Sequence, residues 1–245
     1  RAEGRFELGK AGQVDKLEFS QMFRFNASYW YVVILCFTFY SAIFPFRTFA
    51  IDFFTNRILA AQGGVSARDA FKILAHEQAG FFNSLLPLSA MIATPLFGLL
   101  VDRVGKRALF MMAGSILLMP VYLMMAYTST SLWVPVTMMG ISFSLIPAVM
   151  WPSVAYIVDE SRLGTAYALM TLIQQIGFFL LNLLIGKAND YSGAGLQNVG
   201  GYALGMWIFS ILGFVGLAFS ILLRLRETGP NGHGLETITT ASQAA

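Results

Sequence analysis

The residues with the best claim to chemistry are polar side chains set inside long apolar runs. Arg47 follows Pro45, and Tyr40 lies two helical turns before it. Asn83, the pair Gln174 and Gln175, and Asn182 interrupt other apolar stretches. Arg, Tyr, Asn and Gln offer hydrogen bonds and one fixed charge, which suits holding a small polar molecule. An arginine fork in particular matches a carboxylate bidentately. A polar group surrounded by hydrocarbon costs free energy unless a partner or a water-filled cavity meets it. Two readings of Arg47 are therefore open: it faces a central cavity at a helix broken by Pro45, or it snorkels to the outer headgroups. Gln174 and Gln175 are consecutive, so they point about 100° apart on a helix, and at least one must face protein or a cavity. A solute contact and an interhelical contact satisfy such an amide equally well, for Asn182 as for the glutamines.

Bond-breaking chemistry finds no comparable footing. No nucleophile has a nearby base in the pattern, no carboxylates pair within an apolar run, and no His or Cys has a ligand-spaced partner. Cys36 is the one cysteine, and His76 and His233 lie far apart in sequence. No metal, no cofactor and no catalytic residue is implied. His76-Glu77 reads either as a proton relay or as the wet start of a helix. Trp151-Pro152 interrupts another apolar run and reads as a hinge or as a static kink, as Pro45 does in the first.

Lipid is the solvent that the composition calls for. Hydrophobic residues make up 56% of the 245 and charged residues 12%, against roughly 25% charged in a soluble domain. The net charge of +3 has no concentrated basic face, which argues against a nucleic-acid partner. Six stretches are long enough to cross a hydrocarbon core of about 30 Å: 28–46, with a continuation past Pro45 to 54, then 80–101, 108–127, 132–158, 164–185 and 202–223. None alternates at period two, so the expected fold is all-α, a polytopic membrane protein rather than a barrel. Residues 1–26 read as a polar cytoplasmic segment, 27–226 as the membrane domain, and 227–245, rich in Gly, Thr and Ala, as a disordered cytoplasmic tail. The missing initiator Met reads as a fragment or a processed product.

Eleven of the 16 Lys and Arg fall on one side if the N-terminus is cytoplasmic, and four of the other five sit in the long outer connection at 47–78. Both termini are accordingly expected in the cytoplasm. Ser66 in that outer connection reads as the cap of a short helix carrying Phe71 and Leu74 into span two.

Between spans two and three stands Gly98-Leu-Leu-Val-Asp102-Arg103-Val-Gly105-Lys106-Arg107. Read physically, Gly98 permits close helix approach and Gly105 a turn. Asp102 sits where it can pair with a basic residue or cap a neighbouring helix, while Arg103, Lys106 and Arg107 anchor the turn in the inner leaflet. The pattern resembles the G-x-x-x-D-R-x-G-[RK]-[RK] signature of the major facilitator superfamily, at the place in a six-helix half where that signature falls. The resemblance implies a gating turn that locks the cytoplasmic side of a transporter, with Asp102 and Arg103 as gating residues. Phe44-Pro45-Phe46, Trp151-Pro152-Ser-Val-Ala-Tyr156, Leu163-Gly-Thr-Ala-Tyr167 and Gln174-Gln175-Ile-Gly177 are similar to the C-terminal half of the branch that holds the lysosomal dipeptide transporter and its bacterial relatives.

The resemblance implies transport of a small organic solute such as a dipeptide or similar zwitterion by alternating access, with or without a coupling proton. It implies a complementary six-helix half, supplied by the same gene, a separate chain or an identical copy, and a lipid membrane, either a bacterial inner membrane or a lysosomal or plasma membrane. A non-transporting scaffold or assembly subunit of the same fold is the alternative.

Overall fold

The computed structural model describes residues 24–62, 69–230 and 232–239. Six helices account for most of them: α1 Ala27–Ala61, α2 Asp69–Val104, α3 Arg107–Tyr127, α4 Trp133–Ile157, α5 Leu163–Tyr191 and α6 Ala203–Glu227. All six are long and apolar enough to cross a membrane. Short 3₁₀ turns at Glu160–Arg162 and Val199–Tyr202 lead into α5 and α6. The protein is an all-α, multi-pass membrane domain, as the apolar runs required.

Burial ranks the helices by position. In the most apolar stretch of α1, 67% of residues are buried, against 11% in α2 and 28% in α5. α1 is the central post and packs against α2, α5 and α6, while α3 lies between α4 and α6. Its sequence suits that place. Tyr29, Val32, Leu35, Cys36, Ala42, Ile43 and Phe46 are all buried, and the exposed residues of α1, among them Thr48 and Asp52, lie in its C-terminal half. Glycines admit the neighbours. A Cβ at Gly213 would lie 3.4 Å from the Met119 Cα in α3, and one at Gly177 would overlap Ser41 and Phe37 of α1. Gly98 differs from its expected role, because a Cβ there meets nothing within 4 Å. It faces open space on the lightly packed helix α2 and mediates no close approach among the described residues.

The prolines do not break the helices. α1 is continuous through Pro45, so Arg47 does not sit at a helix break. α4 likewise runs through Pro147 and Pro152 to Ile157, and α2 through Pro87 and Pro95. Proline removes one donor and crowds the preceding turn, and packed neighbours supply substitutes. Close to the Pro45 gap, the Tyr122 hydroxyl donates to the Ala42 carbonyl at 2.8 Å.

The proposed cap Ser66 lies outside the described residues. Phe71 and Leu74 belong to α2 itself rather than to a separate short helix. At the outer ends, the Arg57 guanidinium donates to the carbonyls of Met125, Thr128 and Thr130, closing the C-terminal end of α3. Tyr202 donates to Asp52, and Asn56 donates to Tyr202 at 2.7 Å, joining α1 to α6. These three α1 residues are structural fasteners.

The tail also departs from expectation. Residues 232–239 follow a defined path across the end of the bundle that carries the α2–α3 turn, with Leu235 fully buried. A low apolar content reads as disorder, but one leucine and a set of backbone acceptors suffice where helix ends offer unpaired donors. Residues 240–245 lie outside the described residues.

Packing at Gly177 gives a direct test. Gly177→Val should destabilise the detergent-solubilised chain by about 1–3 kcal/mol through overpacking. Gly98→Val should change it by less than about 0.5 kcal/mol, as at open surface positions. Thermal unfolding of the two variants measures both, and equal melting temperatures would contradict the α1–α5 contact.

Candidate functional site

On one side of the bundle, α1, α2, α4 and α5 bring Tyr40, Arg47, Asn83 and Asn182 to a single aromatic wall. Tyr40, Phe44 and Arg47 stand at i, i+4 and i+7 on α1, one face of a helix. The Tyr40 and Phe44 rings stack 5.6 Å apart, and Phe44 stacks on Phe178 of α5 at 4.9 Å. Phe143 of α4 meets Phe44 edge-on at 5.8 Å. Below them, Trp151 stacks on Tyr167 at 5.9 Å and donates its indole N–H to the Tyr40 hydroxyl at 2.8 Å. The Tyr167 hydroxyl donates to the Trp151 carbonyl at 3.0 Å. Trp151 is thus held on both sides, which favours a packed kink at Pro152 over a free hinge.

Arg47 is half-buried at the outer end of this wall. Its Nε donates to the Asn83 Oδ1 at 3.4 Å, and its guanidinium carbon lies 5.9 Å from the Phe44 ring centroid. Among the described residues this is its one hydrogen bond, so both terminal nitrogens are open to a ligand. Asn83, expected from its place in span two, therefore positions the arginine from α2. Tyr40 accepts from Trp151 and keeps its own proton to donate.

The glutamines separate as their 100° offset requires. Gln174 is buried against α1, where its Oε1 faces the Cys36 Sγ at 3.6 Å. That contact is interhelical, one of the two roles open to this amide, and it lies one turn along α1 from Tyr40. Gln175 is exposed and shares a face of α5 with Phe178 and Asn182, at i, i+3 and i+7. Asn182 donates to the Phe178 carbonyl at 2.8 Å, while its Oδ1 is buried without a partner among the described residues. Phe143 and Phe178 went unread in the sequence. The signal for Phe178 was its helical spacing from Gln175 and Asn182.

The α2–α3 turn forms a second constellation at the opposite end of the bundle. Gly105 (φ +71°) and Lys106 (φ +52°) both take left-handed backbone, which reverses the chain within two residues. Asp102 pairs with Arg107 at 2.8 Å. Arg107 is 2% exposed and lies 4.7 Å above the Tyr156 ring of α4, with its Nη2 3.4 Å from the Tyr156 hydroxyl. Arg103 and Lys106 are exposed. Arg107 is therefore not an inner-leaflet anchor: its charge is desolvated and ties the turn to α4.

A profile of the Major Facilitator Superfamily matches residues 29–241. The chain belongs to the major facilitator superfamily. It is 33% identical over 187 residues to the lysosomal dipeptide transporter MFSD1 of Bos taurus, 32% identical to that of Homo sapiens, and 30% to that of Gallus gallus. Each alignment covers 76% of this chain but only 36–39% of the relative. The chain thus spans little more than a third of the length of the curated relatives it matches. As one six-helix half of a major facilitator fold, it places the aromatic wall on α1, α2, α4 and α5, and the signature turn between its second and third helices.

The signature turn yields a stability order. Asp102→Asn strands the buried Arg107 charge and should cost roughly 2 kcal/mol, less than the 3–5 kcal/mol of a fully buried pair because Asp102 is half in water. Arg103→Gln alters an exposed charge and should stay within about 0.5 kcal/mol. Melting curves of the two variants in detergent check the order, and a reversal would contradict the assignment.

Proposed function

We propose that the chain is the C-terminal half of a transporter that carries a small carboxylate-bearing solute, a dipeptide or similar zwitterion, by alternating access. The observation that carries this reading is Arg47, half-buried on an aromatic wall with its terminal nitrogens unengaged among the described residues. An arginine bound for the headgroups needs no asparagine holding its Nε and no stacked rings beneath it. The rings shield the solute from water and lower the local dielectric, which strengthens a charge-assisted hydrogen bond. The Tyr40 hydroxyl, Gln175 and Asn182 would add hydrogen bonds along the solute, with Asn182 Oδ1 as an acceptor still unmatched. The names of the relatives support the solute class.

In this reading a complementary six-helix half provides the opposite wall, and the two halves rock about the solute between them. Both termini of the chain then face the cytoplasm, on the side of the signature turn, following the Lys and Arg bias. A coupling proton would need a titratable group near the solute. Neither His76, which lies 3.5 Å from the Thr55 hydroxyl at the exposed outer end of α2, nor Glu77 belongs to the wall.

The test is uptake of labelled dipeptides by proteoliposomes containing the native particle, extracted in mild detergent and sized first. Arg47→Gln should raise the half-saturating dipeptide concentration roughly 10- to 150-fold, the worth of a charge-assisted hydrogen bond of about 1.5–3 kcal/mol. A C-terminally amidated dipeptide, lacking the carboxylate, should be insensitive to the substitution. Unchanged uptake of every zwitterion by the variant would end the assignment of Arg47.

A further inference from the structure

We propose that the α2–α3 turn is a docking surface for this chain's own C-terminal segment, residues 232–239, and that the segment is a releasable strap tying the turn to the ends of α6, α1 and α4. The need for an occupant begins at the start of α3. The first amides of any helix have no intrahelical acceptor, and Lys106, the residue at the cap position, supplies no side-chain acceptor. The segment fills that gap. Lys106 N–H donates to the Glu236 carbonyl at 3.2 Å, Arg107 N–H to the Leu235 carbonyl at 3.1 Å, and Ala108 N–H to the Glu236 carboxylate at 2.9 Å. Glu236 also places a negative charge at the positive end of the α3 dipole.

Shape agrees with charge. Leu235 is fully buried. A Cβ on Gly105 would come within 3.3 Å of both the Glu236 carbonyl oxygen and the Thr239 Cγ2, so the turn fits closely under the segment.

The other end of the strap is fastened to the bundle. The buried carboxylate of Glu227, at the end of α6, accepts from His233 N–H at 2.7 Å and from the Ser28 hydroxyl of α1 at 2.6 Å. The His233 ring lies 3.0 Å from Glu227 and 3.1 Å from Asn26, and Asn26 donates to the Ile157 carbonyl at the end of α4. A rigid path thus runs from three helix ends to the signature turn. Only one large apolar side chain is buried along the part that touches the turn, so release is within reach of ordinary local opening. The turn cannot shift relative to α6 while the strap is seated. The contact stands on its own geometry; its effect on transport rests on the reading of this turn as part of a gate.

Hydrogen exchange of the whole chain in detergent tests the contact. In Leu235→Ser/Glu236→Gln, amides 106–108 should exchange roughly tenfold faster or more, while the middle of α4 keeps its protection. A chain ending at residue 230 should show the same loss, and a synthetic peptide of residues 232–239 added in excess should reverse it where a scrambled peptide does not. Unchanged exchange at 106–108 in both variants overturns the strap, and so does failure of the peptide to restore protection. Uptake by proteoliposomes then tests gating: a more than roughly twofold change in maximal rate is expected for the double variant, by analogy with the modest free energies of local opening. An unchanged rate with lost protection overturns control of the gate. Absence of uptake in the unsubstituted particle would count against the transporter reading alone, since the exchange result stands without it.

Discussion

A backbone or side-chain polar group in hydrocarbon has no water to turn to, and that single constraint orders this bundle. Most hydroxyls inside the spans return their proton to a nearby carbonyl. Ser144 donates to Gly140, Ser153 to Val149 and Ser115 to Met111, all one turn back on their own helices. Ser142 and Tyr122 reach across instead, to Gly114 and Ala42, and so join α4 to α3 and α3 to α1. With most of those demands met internally, a handful of polar groups keep spare capacity, the Ser41 and Ser210 hydroxyls and two Arg107 nitrogens among them. Three of them, the outer nitrogens of Arg47, the Tyr40 proton and the Asn182 Oδ1, lie along the wall of α1 and α5.

The aromatic wall and the polar groups depend on one another. Tyr40 is fixed by Trp151, Trp151 by Tyr167, and Phe44 by Phe178, so the donors project from a surface with little rotamer freedom. Rigid rings limit the entropy lost when a solute binds. α1 and α4 remain continuous helices through Pro45 and Pro152.

The end of the bundle that carries the α2–α3 turn obeys the same rule with different means. The buried Arg107 charge is met by Asp102 and the Tyr156 ring, while its Nε and Nη1 have no hydrogen-bond partner among the described residues, and the orphan amides of α3 are met by residues 235 and 236. All six helices are linked at this end through a few short polar contacts, α5 by the Tyr29 hydroxyl that donates to the Ala166 carbonyl at 2.8 Å. Such contacts are individually weak and can exchange together, a property suited to a surface that rearranges.

Apolar run length was enough to define six spans, because a bilayer demands about 20 apolar residues per crossing whatever the packing. The spacing of Gly98, Asp102, Arg103, Gly105, Lys106 and Arg107 was enough to recognise the superfamily, and the choice of Arg47, Tyr40 and Asn83 as a group was legible as polarity in apolar surroundings. Tertiary structure alone decided which way each of these pointed. It sent Gln174 to Cys36 and left Gln175 exposed, buried Arg107 while leaving Lys106 in the open, left Gly98 without a neighbour, and laid the tail across the turn. The reason is physical: periodicity along one helix tells which residues share a face, but only the neighbouring helices determine whether that face meets protein, lipid or a solute.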